Sequence, residues 1–92
     1  MKTTNLQFMP YAQAIVITNE NTKILRSYET NVIIIDTASG WVQCSGTYSN
    51  TTRRHIGAFC KEVGCGLTYQ LMKRIFTNKE KFNIYTGEII AL

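Results

Sequence analysis

Ser49, Asn50, Thr51, Thr52, Arg53, Arg54 and His55 follow one another without interruption, and no other stretch of this 92-residue chain is as rich in groups able to do chemistry. Ser49 and Asn50 are both good helix N-caps, because their side-chain oxygens can accept from the orphan amides of a first turn. A helix start offers free amide donors and a positive dipole end. With the hydroxyls of Ser49, Thr51 and Thr52 and a guanidinium from Arg53 or Arg54, it can hold a phosphate or a carboxylate. The competing reading, and the commoner case, is that the hydroxyls only cap the helix and the arginines are solvated. Helical geometry turns Arg54 away from the apolar face, with Ala58 and Lys61. Arg53 and His55 flank that face on opposite sides, nearer the sheet. The expected anion-binding set is therefore Ser49, Thr51, Thr52, Arg53, Arg54 and His55. As a general base, His55 has only Glu62, two turns on, to orient it, so a structural histidine is the stronger expectation.

A second cluster interleaves aromatic and basic side chains: Tyr69, Lys73, Arg74 and Phe76, followed by Lys79, Lys81 and Phe82. Such interleaving suits base stacking and backbone contacts with a nucleic acid. Against it, a short chain needs Phe76 and Phe82 to complete its core. Tyr69, Lys73, Arg74 and Phe76 form the expected partner-binding set.

Cys44, Cys60 and Cys65 with His55 make four potential zinc ligands, but no Cys-x-x-Cys spacing is present, and none of the usual zinc frameworks fits. Cys44 and Cys60 read as small buried hydrophobes. Cys65, between Gly64 and Gly66, reads as exposed. An odd number favours free thiols. Gly64-Cys65-Gly66 follows a helix rather than a strand, the wrong context for a phosphate-binding loop. The acids are few and scattered, which removes paired-carboxylate and Mg²⁺-dependent chemistry. No catalytic residue, metal or cofactor is expected, so the chain does not read as an enzyme.

The elements that must carry these groups follow from the apolar period. Residues 14–18 form a short β-prone run. Residues 23–28 and 31–36 are strand-like, read as one long strand bent near Glu29-Thr30. Residues 32–35, Val-Ile-Ile-Ile, read as a central strand covered on both faces. Residues 37–40 have hairpin length, and residues 41–48 form the return strand, with a bulge expected at Gly46. On that strand Val42, Cys44 and Tyr48 share one face. Beyond Ser49 the period changes to helical: Thr52, Ile56, Phe59, Cys60 and Val63 share a face, and Gly64 is the C-cap. Gly57, mid-helix, costs about 1 kcal/mol relative to alanine, and close packing on a second helix is the expected reason. That helix, residues 67–77, carries Leu67, Leu71 and Ile75 on one face with Met72 beside them. Residues 82–92 end the chain as a strand or small hairpin. The expected fold is α+β, a small antiparallel sheet packed against two helices on one face, in a single domain over residues 1–92.

Composition sets the outer limits. Apolar residues make up 45% and charged residues 17%, an ordinary core with a surface of Thr, Asn, Ser and Tyr more than ion pairs. Net charge is +4, and its placement is uneven. Residues 51–81 hold Arg53, Arg54, Lys61, Lys73, Arg74, Lys79 and Lys81 against Glu62 and Glu80, whereas the first fifty residues balance. The positive field belongs to the C-terminal half and suits an anionic partner. Residues 1–10 have no apolar h-region, and the longest apolar run is far short of the roughly 20 residues of a membrane helix. A cytoplasmic protein with no membrane partner is expected.

The segment Tyr48-Ser49-Asn50-Thr51-Thr52-Arg53-Arg54-His55-Ile56, followed by Phe59, carries a resemblance. With Ser27-Tyr28-Glu29-Thr30 and the strand at 32–36, it resembles a small-domain family of tailed phages and Firmicutes mobile elements, a domain of unknown function. The family's pattern is Tyr-Ser-x-Thr-Thr-x-x-His-Ile…Phe after a hairpin. The resemblance spans roughly residues 24–63 and supplies a context, not an activity. It implies a small protein of a bacterial host cell that binds and blocks host components, defence systems of the CRISPR kind included. The function expected from residues and resemblance together is a non-catalytic binding protein. It would engage an anionic ligand or a host macromolecule (a nucleic acid, protein or nucleoprotein complex) and inhibit a host defence process. Two alternatives stand beside it: a homo-oligomeric assembly module, and a sponge for a nucleotide messenger at residues 49–54. Tyr69, Met72 and Phe76, lying off the Leu67–Leu71–Ile75 face, lead to the expectation of a homodimer through the second helix.

Overall fold

The computed structural model describes residues 1–45 and 49–92. Seven strands form one antiparallel sheet in simple sequence order. They are β1 (Lys2–Asn5), β2 (Ala14–Thr18), β3 (Thr22–Ser27), β4 (Thr30–Asp36), β5 (Trp41–Cys44), β6 (Glu80–Asn83) and β7 (Ile89–Ala91). The helices α1 (Asn50–Val63) and α2 (Tyr69–Thr77) are inserted between β5 and β6, which nevertheless pair with each other. The result is the expected α+β fold with both helices on one face.

Alternation along the strands builds the core. Val16, Leu25, Ile33 and Cys44 stand opposite one another across β2 to β5, and Ile35, Val42, Phe82 and Ile89 continue the inner surface to β7. A register shift between Leu25 and Arg26 leaves Val32 as an extra residue on β4, which is how both Val32 and Ile33 become buried. Against this surface α1 packs Ile56, Phe59 and Cys60, and α2 packs Met72 and Ile75.

Several expectations are corrected. Residues 23–28 and 31–36 are not one bent strand but the paired strands β3 and β4. The two-residue turn between them holds Tyr28 at φ 55; with no glycine or asparagine there, the usual hairpin signal is missing. The run at 32–35 is not covered on both faces, since Ile34 points to the helix-free side and is 37% exposed. The return strand is assigned to Trp41–Cys44; the bulge expected at Gly46 and the placement of Tyr48 lie outside the described residues. Leu6, fully buried, and β1 ahead of it were not anticipated. The segment after β1 runs along α1: the Gln7 amide donates to Glu62 at 2.7 Å, and Lys61 sits over the Phe8 ring at 4.5 Å. Ala58, one turn earlier, is buried rather than turned to solvent.

Ser49 caps α1 as expected, its hydroxyl accepting from the Thr52 amide at 3.1 Å, and Gly64 ends it at φ 72. The second helix begins at Tyr69, not Leu67, because Thr68 caps it by accepting from the Leu71 amide at 3.1 Å. Its inward positions are therefore Met72 and Ile75, with Leu67 buried just ahead of the helix and Leu71 only half-buried. Close packing does not account for Gly57: a methyl group added there would meet nothing within 4 Å.

Candidate anion-binding groove

The start of α1 and the start of α2 together frame an open groove of about 390 Å³ lined by Asn50, Arg53, Arg54 and Tyr69. The Arg53 guanidinium lies over the Tyr69 ring, 4.9 Å from its centroid, a cation–π contact that restrains its direction. Arg54, one residue on, is exposed at the groove's edge. The cap places this edge at the positive end of α1, where first-turn amides lack helical partners. Among the described residues the ion pair is Arg74 with Glu80, at 3.3 Å; neither Arg53 nor Arg54 is in a salt bridge there. No carboxylate stands in the first turn of α1.

The expected anion-binding set divides at this point. Arg53 and Arg54 line the groove, and Thr51 is exposed near it. Thr52 and His55 turn inward instead. Ser27 on β3 lies 2.7 Å from His55 Nδ1 and 3.3 Å from the Thr52 hydroxyl, and Ser49 donates to that hydroxyl at 3.0 Å. A consistent proton assignment runs from Ser49 through Thr52 and Ser27 to Nδ1 of a neutral imidazole. The relay ties the cap of α1 to the sheet. Ser27, its centre, was missed in the sequence; the signal was a polar residue at the inward position two after Leu25.

His55 is 1% exposed and Ser27 is 3% exposed. The Tyr28 ring covers the imidazole, centroids 5.7 Å apart. Burial lowers the His55 pKa from its ordinary 6.5, because the charged ring would lose hydration. The folded protein thus binds the His55 proton more weakly than the unfolded chain does. His55 stabilises the fold fully above pH 6.5, and that contribution fades as the pH falls toward the lowered value. We expect the thermal midpoint to drop between pH 7 and 5, and a His55→Gln variant to be less stable at pH 7 but flatter across this window. Asp36, also lowered by accepting the Ser39 and Ala38 amides, acts only at more acidic pH, below 3.8. A wild-type profile as flat as the variant's would contradict this reading.

The second cluster is less unified. Tyr69 joins the groove, Lys73 is exposed one turn along, and Phe76 is 37% exposed. Arg74 is drawn aside by Glu80, which also accepts from Asn78 at 3.4 Å. Cys44 and Cys60 are buried and Cys65 is exposed. Desolvation, with Cys44 nearby, pushes the Cys60 thiol up to about 12, far from nucleophilic use. Among the described residues no three His, Cys, Asp or Glu side chains gather as a metal site would require, and no helix is long and apolar enough to cross a membrane. A larger cleft of about 630 Å³ lies between residues 12–15 and 28–30. Its charged side chain is Glu29, so it does not suit an anion.

A family model described as a family of unknown function (DUF8033) matches residues 2–83. No curated protein and no solved structure matches the chain.

Proposed function

The chain belongs to this family of unknown function (DUF8033), and we propose that it is a non-catalytic binding protein for a phosphate-bearing partner, held in the groove at the start of α1. The observation that carries the reading is the pairing of two arginines without carboxylate partners among the described residues with an aromatic ring at one helix end. Arg53 and Arg54 would supply charge-assisted contacts, Asn50 a neutral donor, and Tyr69 a ring that holds one guanidinium ready. Lys73 extends the positive field along α2. The enclosure of Ser27 and His55 and the raised Cys60 thiol favour binding over catalysis.

The partner in this reading is a host nucleic acid or nucleoprotein, engaged in the cytoplasm of a bacterial cell. What supports the phage or mobile-element context, and inhibition of a host defence process, is the resemblance of residues 24–63. A free nucleotide messenger is the smaller-ligand version of the same site.

Arg53→Ala and Arg54→Ala test the proposal with a labelled oligonucleotide as probe. Each charge-assisted contact is worth roughly 1.5–3 kcal/mol, so each substitution should weaken binding about tenfold or more. Arg53 should matter more, since Tyr69 fixes its direction. The thermal midpoint should hardly move, because exposed charges contribute little to folding. Undiminished binding by both variants would refute the assignment.

A further inference from the structure

The hydroxyls between His55 and the groove form a chain with a buried end and an open end. His55 Nδ1 lies 2.7 Å from the Ser27 hydroxyl, Ser27 lies 3.3 Å from the Thr52 hydroxyl, and Ser49 donates to Thr52 at 3.0 Å. Each hydroxyl has one proton to give, so the direction of the last bond sets the others. Thr52, accepting from Ser49, gives its proton to Ser27, and Ser27 gives its own to Nδ1 of a neutral imidazole. His55 and Ser27 are buried, whereas Ser49 is exposed. The open end is the start of α1. The Ser49 carbonyl accepts the Arg53 amide at 2.9 Å, and Asn50, the next residue, lines the groove.

We propose that this chain couples the proton on His55 to anion binding in the groove, which holds phosphate more tightly when the imidazole is charged. An imidazolium donates from both ring nitrogens. Nδ1 then donates to Ser27, Ser27 to Thr52 and Thr52 to Ser49, with every heavy atom in place. Ser49, which already accepts the Thr52 amide at 3.1 Å, now accepts the Thr52 hydroxyl as well. Its own proton turns outward at the helix start, one more donor for a phosphate oxygen. One proton enters at the ring and none leaves; each hydroxyl proton swings to its other neighbour. Facing the ring are Ser27 and the Tyr28 phenol, from β3 and the turn after it. On α1, Arg54 is exposed, and Glu62 accepts the Gln7 amide instead. Among the described residues burial is the cause of the lowered His55 pKa, with no charged neighbour acting on the ring. An anion at the helix start is thus the counter-charge open to it. The coupling rests on the anion-binding reading of the groove. Falling pH then acts in opposite directions, weakening the fold and tightening the groove.

His55 is the chain's only histidine, so its titration can be followed alone between about pH 7 and about pH 5. The probe is a labelled oligothymidylate, whose phosphates stay ionised throughout, at fixed salt. The wild-type should bind about tenfold more tightly at the lower pH, the worth of one charge-assisted contact. By reciprocity, saturating oligothymidylate should raise the His55 midpoint, read from the imidazole NMR signals, by about one pH unit. Ser27→Ala cuts the chain, and the ratio of its affinities at the two pH values should fall close to one. His55→Gln, which cannot be charged, serves where the serine change disturbs folding, and its ratio should fall likewise. Arg53→Ala should lose affinity at both pH values and keep the gain. Equal wild-type binding at both pH values, or a gain that survives in the folded Ser27 and His55 variants, would overturn the coupling and leave the arginine site standing. No binding at either pH would overturn both.

Discussion

Phe59→Ala should cost about 3–5 kcal/mol, the range for truncating a large buried aromatic. Among the described residues Phe59 is the largest fully buried side chain, and it belongs to the core between α1 and the inner row of the sheet. Other members of that core, Ile33, Cys44 and Ile56 among them, are held by strand pairing or by the helix, so the core cannot collapse fully into the gap. For a domain of this size the loss is a large part of the total stability. Urea unfolding followed by circular dichroism checks it. A shift in midpoint worth less than about 1 kcal/mol would mean that the helix–sheet packing is looser than described.

Gly40→Ala should be nearly as damaging, for a different reason. Gly40 sits at φ 89 in the β4–β5 turn, a conformation that L side chains rarely adopt. Its missing side chain is also where two neighbours sit. A methyl group would stand 2.5 Å from a Tyr85 ring carbon and 2.8 Å from the Asn83 side-chain oxygen. That oxygen accepts the Tyr85 and Thr86 amides at 2.8 and 3.1 Å, while the Asn83 amide group donates to the Ser39 carbonyl at 3.0 Å. The Tyr85 hydroxyl donates to the Thr37 carbonyl. The substitution would pry apart the knot that joins the β4–β5 turn to the β6–β7 turn. We expect a loss of roughly 2–4 kcal/mol, backbone strain and broken, partly buried hydrogen bonds combined. Asn83→Ala should recover part of the difference in the Gly40→Ala background by removing one clashing atom. Strict additivity of the two changes would count against the shared contact.

The parts of this fold that were legible in the sequence are those where a short-range rule acts alone. The change from β period to helical period at Ser49, the capping hydroxyl and the terminating Gly64 are local signals, and each fell where its chemistry required. The face of α1 was readable for the same reason. What was not legible depended on distant partners. Residues 23–36 lack a turn signature, and only the pairing of β3 with β4 forces Tyr28 into a left-handed conformation. Ala58 looks solvent-facing on a helical wheel until the segment after β1 is laid along it. The inward face of α2 depends on which of two residues starts the helix, and Thr68 decides that.

The candidate site divides along the same line. Arg53 and Arg54 could be placed at a helix start from spacing alone. That Tyr69 joins them, and that His55 leaves them for Ser27, are consequences of how the second helix and β3 are brought to the first. The basic residues of α2 looked equivalent in sequence, yet Arg74 has a carboxylate partner and Lys73 is not in a salt bridge among the described residues.

In the proposed function, Arg53 and Arg54 hold phosphate groups at the start of α1. Binding of a single-stranded oligonucleotide as a function of salt measures this directly, because each phosphate neutralised releases condensed counterions and adds about 0.7 to the slope of log K against log salt. The wild-type protein should show a steep slope, reduced by about 0.7 in Arg53→Ala and again in the double variant. A slope near zero, or one that the two substitutions leave unchanged, would contradict it.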